Sequence, residues 1–186
     1  ERNPHRADVE DQQRAANGCS RPLRSLILER DSASGLADAR AHRVLRGENI
    51  SLVDGGHQKR AFTYVDDGIA ALMKIIENKD GIATGKIYNI GNPVNNHSIR
   101  DLADMMMKLA NEYPEYRDSA KKVKIVETTS DAYYGKGYQD VQNRVPKITN
   151  TCEELNWKPT VSMADTLRKI FDAYRGQIAE AKGLVD

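Results

Sequence analysis

Residues 61–76 read AFTYVDDGIAALMKII, and this stretch joins a strand-like run to a helical pattern. Its first five residues are rich in aromatic and β-branched side chains, which is typical of a strand. The following residues predict a helix with one apolar face, formed by Ile69, Leu72, Met73 and Ile76. Asp66 is a candidate cap for this helix. A strand that runs into a helix favours an α/β or α+β fold.

The flanking sequence repeats this mixture of strands and helices. Short strands are predicted at 49–53, 86–90 and 123–126. Three further helices are predicted to open at the patterns Ser98-x-x-Asp101, Thr151-x-x-Glu154 and Ser162-x-x-Asp165, the first of them ending at Pro114 and the last at Gly176. We therefore expect an α/β fold with no internal repeat.

Residues 132–144 concentrate rings and hydrogen-bond donors, with three tyrosines, two glycines, a lysine and an arginine. The glycines disfavour a helix and the broken alternation disfavours a strand, so the pattern predicts a loop. Tyrosine rings and an arginine fork suit a ligand that carries rings and anionic groups. The alternative is a polar surface loop whose tyrosines cover a neighbouring helix, and composition alone favours this alternative.

Composition excludes several classes of function. The net charge of +1 gives no electrostatic case for nucleic acid or an acidic membrane, and no apolar run is long enough to span a bilayer. The two cysteines are far apart and the four histidines are scattered, so neither a disulfide framework nor a metal site is expected. A reducing, cytoplasmic location follows as the simplest expectation.

Composition changes abruptly near Gly47. All nine basic residues before it are arginine, whereas 13 lysines, 6 arginines and all 11 aromatic residues follow it. The early stretch holds little that could form a core, although residues 33–45 could make a weak helix. It is interpreted as an atypical Arg/Ala-rich leader that is disordered or only loosely packed. Two other interpretations are an engineered or foreign segment and a stretch read in a different frame. Its arginines are nearly balanced by seven acidic residues, so a nucleic-acid arm is disfavoured.

Four segments carry a resemblance to a known family. They are GGxQKRxFTxxxDGIxAL at 55–72, IIEN at 75–78, NIGNP at 89–93 and YYGKGYQDV at 133–141. The last of them, followed by Arg144 and Pro146, is the most specific. Together they resemble the carboxyl-terminal half of an extended short-chain dehydrogenase/reductase, in the NAD-dependent epimerase/dehydratase family. Over about residues 46–175 they resemble in particular the UDP-glucuronate decarboxylase domains of bifunctional polymyxin-resistance enzymes.

The resemblance implies a reaction and roles for individual residues. Such enzymes use NAD to oxidise C4 of UDP-glucuronate, and the β-keto acid then loses carbon dioxide to give a UDP-4-keto-pentose in lipid A modification. By position, Arg60 matches an arginine that contacts the nucleotide, and Tyr138 a tyrosine that helps to hold UDP. Arg144 matches the arginine assigned as a proton donor. Because guanidinium is a poor acid, we interpret Arg144 as holding the carboxylate or enolate; a structural, ion-paired arginine is the alternative.

The departures from the family pattern bear on the cofactor. The 13 glycines never fall in G-x-G-x-x-G, and no tyrosine has a lysine four residues later. The resemblance therefore implies the substrate-binding part of an incomplete Rossmann fold, with the amino-terminal dinucleotide-binding half missing and NAD bound elsewhere. The predicted boundaries are a leader at 1–46, the substrate-binding portion at 47–176 and a tail at 177–186.

Three functional hypotheses remain at this point. The first is a fragment of a UDP-glucuronate decarboxylase, inactive alone, that contributes the UDP-sugar site. The second is a non-catalytic module that binds a UDP-sugar or assembles with another chain, and the third is a UDP-sugar 4-epimerase fragment. A strand without its neighbour would leave an open edge, so a homo-oligomer is plausible.

Overall fold

The structure is a computed structural model that describes residues 40–41, 43–134 and 141–175. Its secondary structure mixes short strands with helices, as the sequence predicts. The helices are α1 (Val65–Glu77), α2 (Ile99–Glu112), α3 (Pro114–Ala120), α4 (Ser130–Tyr134), α5 (Thr149–Leu155) and α6 (Met163–Arg175). Residues 40–41 and 43–46 are also helical.

Two small sheets accompany these helices. In the first, β1 (Ile50–Val53) pairs in parallel with β4 (Ile125–Thr128). In the second, the order is β3–β2–β5, where β2 is Lys59–Ala61, β3 is Asn96–Ser98 and β5 is Asn143–Arg144. β2 pairs antiparallel with β3 and parallel with β5.

Local hydrogen bonds explain where the two longest core helices begin. At α2, the Ser98 hydroxyl accepts from the Asp101 backbone N–H and the Asp101 carboxylate accepts from the Ser98 backbone N–H, which completes the predicted capping box. At α6, the Ser162 hydroxyl accepts from the Asp165 backbone N–H. α2 ends at Glu112, and Pro114 starts α3 instead of a coil, because proline fits the first turn of a helix.

A main core lies between α2, α6 and the first sheet. It consists of apolar side chains from these elements, from α3, from residues 41–45 and from the connections at Phe62 and Val123. Its largest fully buried members are Tyr116, Phe62, Phe171, Leu45, Ile50, Leu52, Leu102, Met106 and Leu167. The Tyr116 and Phe171 rings meet edge to face at 4.9 Å between centroids. The predicted boundary of the leader at residue 46 stays a prediction, and the side chains of Ala41, Val44 and Leu45 pack into this core.

A smaller cluster lies between α1 and α5. Its buried members are Ala71, Leu155 and Trp157, and Ile75, Tyr88 and Ile90 pack against them. The Asp67 carboxylate ties the connection after α5 to α1, because it accepts from the Thr160 backbone N–H and hydroxyl and from the Val161 backbone N–H.

Two of the four predicted strands require correction. The strand predicted at 61–65 lies at 59–61, because α1 already begins at Val65. Residues 86–90 form no strand, since none of the described strands lies beside them to complete the pairing. β1 and β4 confirm the predictions at 49–53 and 123–126 to within a few residues.

Other local predictions are wrong for identifiable reasons. Asp66 does not cap α1; the helix starts after Tyr64 with no side-chain cap. Thr151 lies inside α5 and its hydroxyl donates to the Asn89 carbonyl. The predicted loop at 132–144 begins within α4 and ends in β5, and its residues 135–140 lie outside the described part. The predicted end of the last helix at Gly176 is also outside it.

The described residues contain neither a membrane-spanning helix nor a cluster of metal ligands. None of the described helices is long and apolar enough to cross a bilayer. Among the same residues, no group of three histidine, cysteine or carboxylate side chains could hold a metal ion.

Candidate functional site

The second sheet brings three basic residues side by side. Arg60, at the centre of β2, lies opposite His97 on β3 and opposite Arg144 on β5. Neighbouring strands are about 4.8 Å apart, and directly paired residues place their side chains on the same face. We call these three residues, His97, Arg60 and Arg144, the basic row.

Arg60 is fixed at the point where the tyrosine-rich segment returns to the sheet. Its Nη1 donates to the carbonyl of Lys59 at 2.8 Å and to that of Val141 at 2.7 Å. The backbone N–H of Lys59 donates to the Gln142 carbonyl at 2.7 Å. The Arg60 guanidinium therefore lies against the carboxyl-terminal end of the segment that contains Tyr138.

Arg144 is positioned by its backbone on two sides. On one side it pairs with Arg60 through β2. On the other side Pro146 packs on Gly91 so closely that an added Cβ at Gly91 would lie 2.4 Å from Pro146 Cγ. The Asn89 side-chain amide donates to the Lys147 carbonyl at 3.2 Å, which holds the same return segment.

The side chain of Arg144 is exposed, and it makes no hydrogen bond or ion pair with any residue of 40–41, 43–134 or 141–175. A guanidinium with a fixed backbone and solvated donors is available for a planar anion such as a carboxylate or a phosphate.

The charge around the basic row is positive. Hydrogen bonds from Ser98, first through its backbone and then its side chain, lower the pKa of Asp101, and the charges of His97 and Lys59 lower that pKa further. Asp101 is already committed to the cap of α2. The row therefore has a net attraction for an anionic ligand.

Of the three predicted site residues, Arg60 and Arg144 are brought together. Tyr138 lies outside the described residues. His97 is not apparent as a site residue from the sequence, because β3 has only three residues and follows a short 3₁₀ turn, Pro93–Asn95. A run of three residues is too short for its alternation to predict a strand, so β3 is recognised as a strand only from its pairing with β2.

The part of the chain that the structure describes contains no dinucleotide-binding turn. Dinucleotide sites place the pyrophosphate on backbone amides at the start of a helix that follows a strand and a glycine-rich turn. Here β1 leads into the turn Asp54–Gly56 and then into β2, not into a helix. The glycine fingerprint is also absent from the sequence.

Comparison with known proteins identifies the family. The family model described as GDP-mannose 4,6 dehydratase matches residues 36–170, which is more than half of the chain. The chain belongs to this family. Its fold is the mixed α/β arrangement of NAD-dependent epimerases and dehydratases of sugar nucleotides, of which it covers a part.

Solved structures show the same relationship in more detail. The PbgP3 protein from Burkholderia pseudomallei is 58% identical with a TM-score of 0.72, over 84% of this chain and 43% of that protein. The chain thus spans less than half the length of the PbgP3 protein.

More distant structures share the fold. UDP-glucose 4-epimerase from Thermotoga maritima, solved with UDP-glucose, is 24% identical with a TM-score of 0.56 over 77% of this chain and 40% of the epimerase. UDP-glucuronic acid 4-epimerase from Bacillus cereus, solved with UDP-glucuronic acid and NAD, is 22% identical with a TM-score of 0.58 over 79% and 40%.

Proposed function

We propose that this chain supplies the UDP-sugar site of an NAD-dependent UDP-glucuronate decarboxylase. The observation that supports this proposal is the pairing of Arg60 with Arg144 on one face of a sheet, beside the tyrosine-rich segment. The cytoplasmic location remains a prediction from the cysteine usage, and the role in lipid A modification remains a prediction from the resemblance.

The charges of the basic row suit the two anionic parts of UDP-glucuronate, which are its diphosphate and its carboxylate. Arg60 lies against the segment that contains Tyr138, so we assign Arg60 and Tyr138 to the UDP portion. Arg144 lies one strand further out and is exposed, so we assign it to the carboxylate. Arginine forks form paired, charge-assisted hydrogen bonds with both kinds of group.

In decarboxylation, Arg144 would act by electrostatic stabilisation. When the bond between C5 and the carboxylate of a 4-keto sugar breaks, its electron pair moves into the adjacent carbonyl and forms an enolate. Donors that are already oriented stabilise such a charge without further reorganisation. A guanidinium stays protonated at neutral pH, so we assign Arg144 the binding of the carboxylate and the enolate, with proton delivery through water.

Because the sequence contains neither the G-x-G-x-x-G fingerprint nor a tyrosine with a lysine four residues later, we assign this chain no part in the oxidation at C4. The purified chain, mixed with UDP-glucuronate and NAD, is expected to release no carbon dioxide and to give no NADH absorbance. Robust formation of NADH would show that this assignment of residues is wrong.

A 4-epimerase fragment is not favoured. The match with PbgP3 reaches 58% identity, whereas the two epimerases reach only 24% and 22%. The epimerases support only the shared fold, and the proposal keeps the decarboxylase reaction because of the resemblance carried by the tyrosine-rich segment and Arg144.

Binding measurements with two ligands test the proposal. Calorimetric titration of the full chain with UDP-glucuronate and with UDP-glucose separates the contribution of the sugar carboxylate to the affinity from that of the nucleotide. Charge-assisted hydrogen bonds contribute roughly 1.5–3 kcal/mol each, so Arg60→Ala should weaken both ligands by about tenfold or more. Tyr138→Phe should weaken both by a smaller factor. Arg144→Ala should weaken UDP-glucuronate by about tenfold while changing UDP-glucose less than about twofold.

The matched control is Arg117→Ala, an exposed arginine on α3. It should leave both affinities unchanged. If the chain binds neither nucleotide sugar, or if Arg60→Ala and Arg144→Ala bind both as tightly as the parent chain, the basic row is a surface feature and the proposal fails.

A further inference from the structure

His97 is the member of the basic row to which the proposed function gives no role. It lies on β3 directly opposite Arg60 of β2, and Arg144 lies opposite Arg60 on the other side. Directly paired residues share a face of a sheet, and neighbouring strands are about 4.8 Å apart. The imidazole is therefore next to the Arg60 guanidinium, on the same face as both arginines.

The backbone of His97 is held, whereas its ring is available. β3 is paired with β2 along all three of its residues, and the Phe62 backbone N–H donates to the Asn95 carbonyl just before β3 begins. The half-buried imidazole makes no hydrogen bond or ion pair with any residue of the described ranges 40–41, 43–134 and 141–175. A ring that is fixed at its base and has unpaired nitrogens is suited to a ligand.

The charged groups around His97 are mostly cationic. On the elements that pack against β3 or lie beside it in the sheet, they are Lys59, Arg60, Arg144, Arg100 and Asp101. Asp101 is bonded to Ser98, which lies on the opposite face of β3 from His97 because successive residues of a strand alternate in direction. The charge of His97 lowers the pKa of Asp101 less than the hydrogen bonds from Ser98 do. A protonated imidazole in the basic row would therefore gain most from an anion supplied by a ligand.

The order of the basic row favours one anionic group over the other. The strand order β3–β2–β5 places His97 and Arg144 at opposite ends, two strand spacings or about 10 Å apart. Arg144 is assigned to the sugar carboxylate and Arg60 to the UDP portion. A diphosphate carries two neighbouring negative charges, so it can contact Arg60 and the adjacent imidazole together.

We infer that His97, in its protonated form, is a second cation for the diphosphate of a UDP-sugar, so that nucleotide binding takes up a proton and tightens in weakly acidic solution. This inference rests on the proposed UDP-sugar site and adds a residue and a pH dependence to it. Histidine ordinarily titrates near about pH 6.5, and an anion in contact with it favours the protonated form. The complex therefore binds more protons than the free chain, and the affinity rises as the pH falls.

Calorimetric titration of the full chain with UDP-glucose at about pH 5.5, 7 and 8 tests the inference. Both phosphates of this ligand are esterified and stay ionised over this range, and its sugar has no carboxylate. We expect binding to be about fivefold tighter at the lowest pH than at the highest, because His97 then adds a charge-assisted hydrogen bond. At about pH 7, the binding enthalpy in two buffers of different ionisation enthalpy should show uptake of a fraction of a proton.

Three variants identify the group that titrates. His97→Gln keeps a donor but cannot be charged, so it should match the parent chain to within about twofold at about pH 8 and lose the pH dependence. His97→Lys carries a permanent charge and should bind tightly at all three pH values, which a merely structural role of His97 would not produce. His57→Gln is the matched control, since His57 is the other histidine among the described residues and its ring lies against Gly55, outside the basic row. It should retain the pH dependence.

Two results would overturn the inference while leaving the UDP-sugar site in place. One is binding of UDP-glucose by the parent chain with neither pH dependence nor proton uptake. The other is a pH dependence that persists in His97→Gln or disappears in His57→Gln. Absence of binding at every pH would reject the UDP-sugar site itself, and the role of His97 with it. If His97→Gln does not fold, the parent chain and His97→Lys decide between these outcomes.

Discussion

The side of the molecule built on α2 and α6 buries the apolar residues of its helices, whereas the side built on α1 leaves them largely exposed. α2 and α6 bury their stripes against each other and against the first sheet, and residues such as Leu102, Met106 and Leu167 are 0–1% exposed. α1 has an equally regular stripe, yet Ile76 in that stripe is 73% exposed. The comparison shows that amphipathic periodicity specifies a helix and its apolar side, whereas burial depends on whether a partner element is present.

Truncation of one large apolar side chain on each of these two sides of the molecule should give the largest difference in the free energy of unfolding. Phe171→Ala removes a ring that packs on Tyr116 and Tyr113, and it should lower the free energy of unfolding by about 4 kcal/mol. Ile76→Ala should change it by less than about 0.5 kcal/mol, because the side chain is already largely in water. Urea denaturation followed by circular dichroism measures both. Equal losses would mean that the apolar stripe of α1 is covered in solution.

Substitution of the buried Asp67 tests a polar link on the α1 side. Asp67→Ala leaves the backbone N–H groups of Thr160 and Val161 without their acceptor and should cost about 2–3 kcal/mol of unfolding free energy. Asp66→Ala is the control, since Asp66 is exposed and caps nothing. If the two variants are equally stable, the link contributes little to the packing of α5 on α1.

Two glycine substitutions compare the segment that positions Arg144 with helix α1. Gly91→Ala forces a Cβ against Pro146 and should cost about 1–2 kcal/mol, with weaker binding of UDP-glucuronate because Arg144 moves with that segment. Gly68→Ala lies in α1 with no atom within 4 Å of the added Cβ, and it should stabilise the chain by up to about 1 kcal/mol. Thermal melts and calorimetric titration read both effects, and a stabilised Gly91→Ala variant would contradict the close contact.

The capping box of α2 should give the smallest effect, and a pH dependence. Ser98→Ala should cost about 1 kcal/mol of unfolding free energy. The pKa of Asp101 in the folded chain lies below its ordinary value of 3.8, mainly through the hydrogen bonds from Ser98. The parent chain should therefore be more stable than Asp101→Asn by the full amount above about pH 4, which is the pKa of Asp101 in the unfolded chain. This difference in unfolding free energy should disappear as the pH falls through the lower pKa of the folded chain.

Urea denaturation at pH 7, 4 and 2.5 checks this dependence, with Asp104→Asn on the same helix as the control. A difference between the parent chain and Asp101→Asn that persists unchanged at the lowest pH would show that the carboxylate does not contribute as an anion.

The sequence by itself determined the features that short-range hydrogen bonds and periodicity encode. The capping box at Ser98 and the side-chain cap at Ser162 follow from residues within a few positions of one another. So do the apolar stripes of α1, α2 and α6 and the mixture of helices with strands. The resemblance also selected Arg60 and Arg144 before their pairing was known.

Only the tertiary structure decided which segments became strands and which side chains met. A strand needs a partner that is distant along the chain, so 59–61 and 143–144 pair while the more strand-like 86–90 does not. The same long-range pairing places His97, Arg60 and Arg144 in one row. Burial of α1 was likewise not decided by its sequence, because the free energy of covering an apolar stripe depends on the element that lies against it.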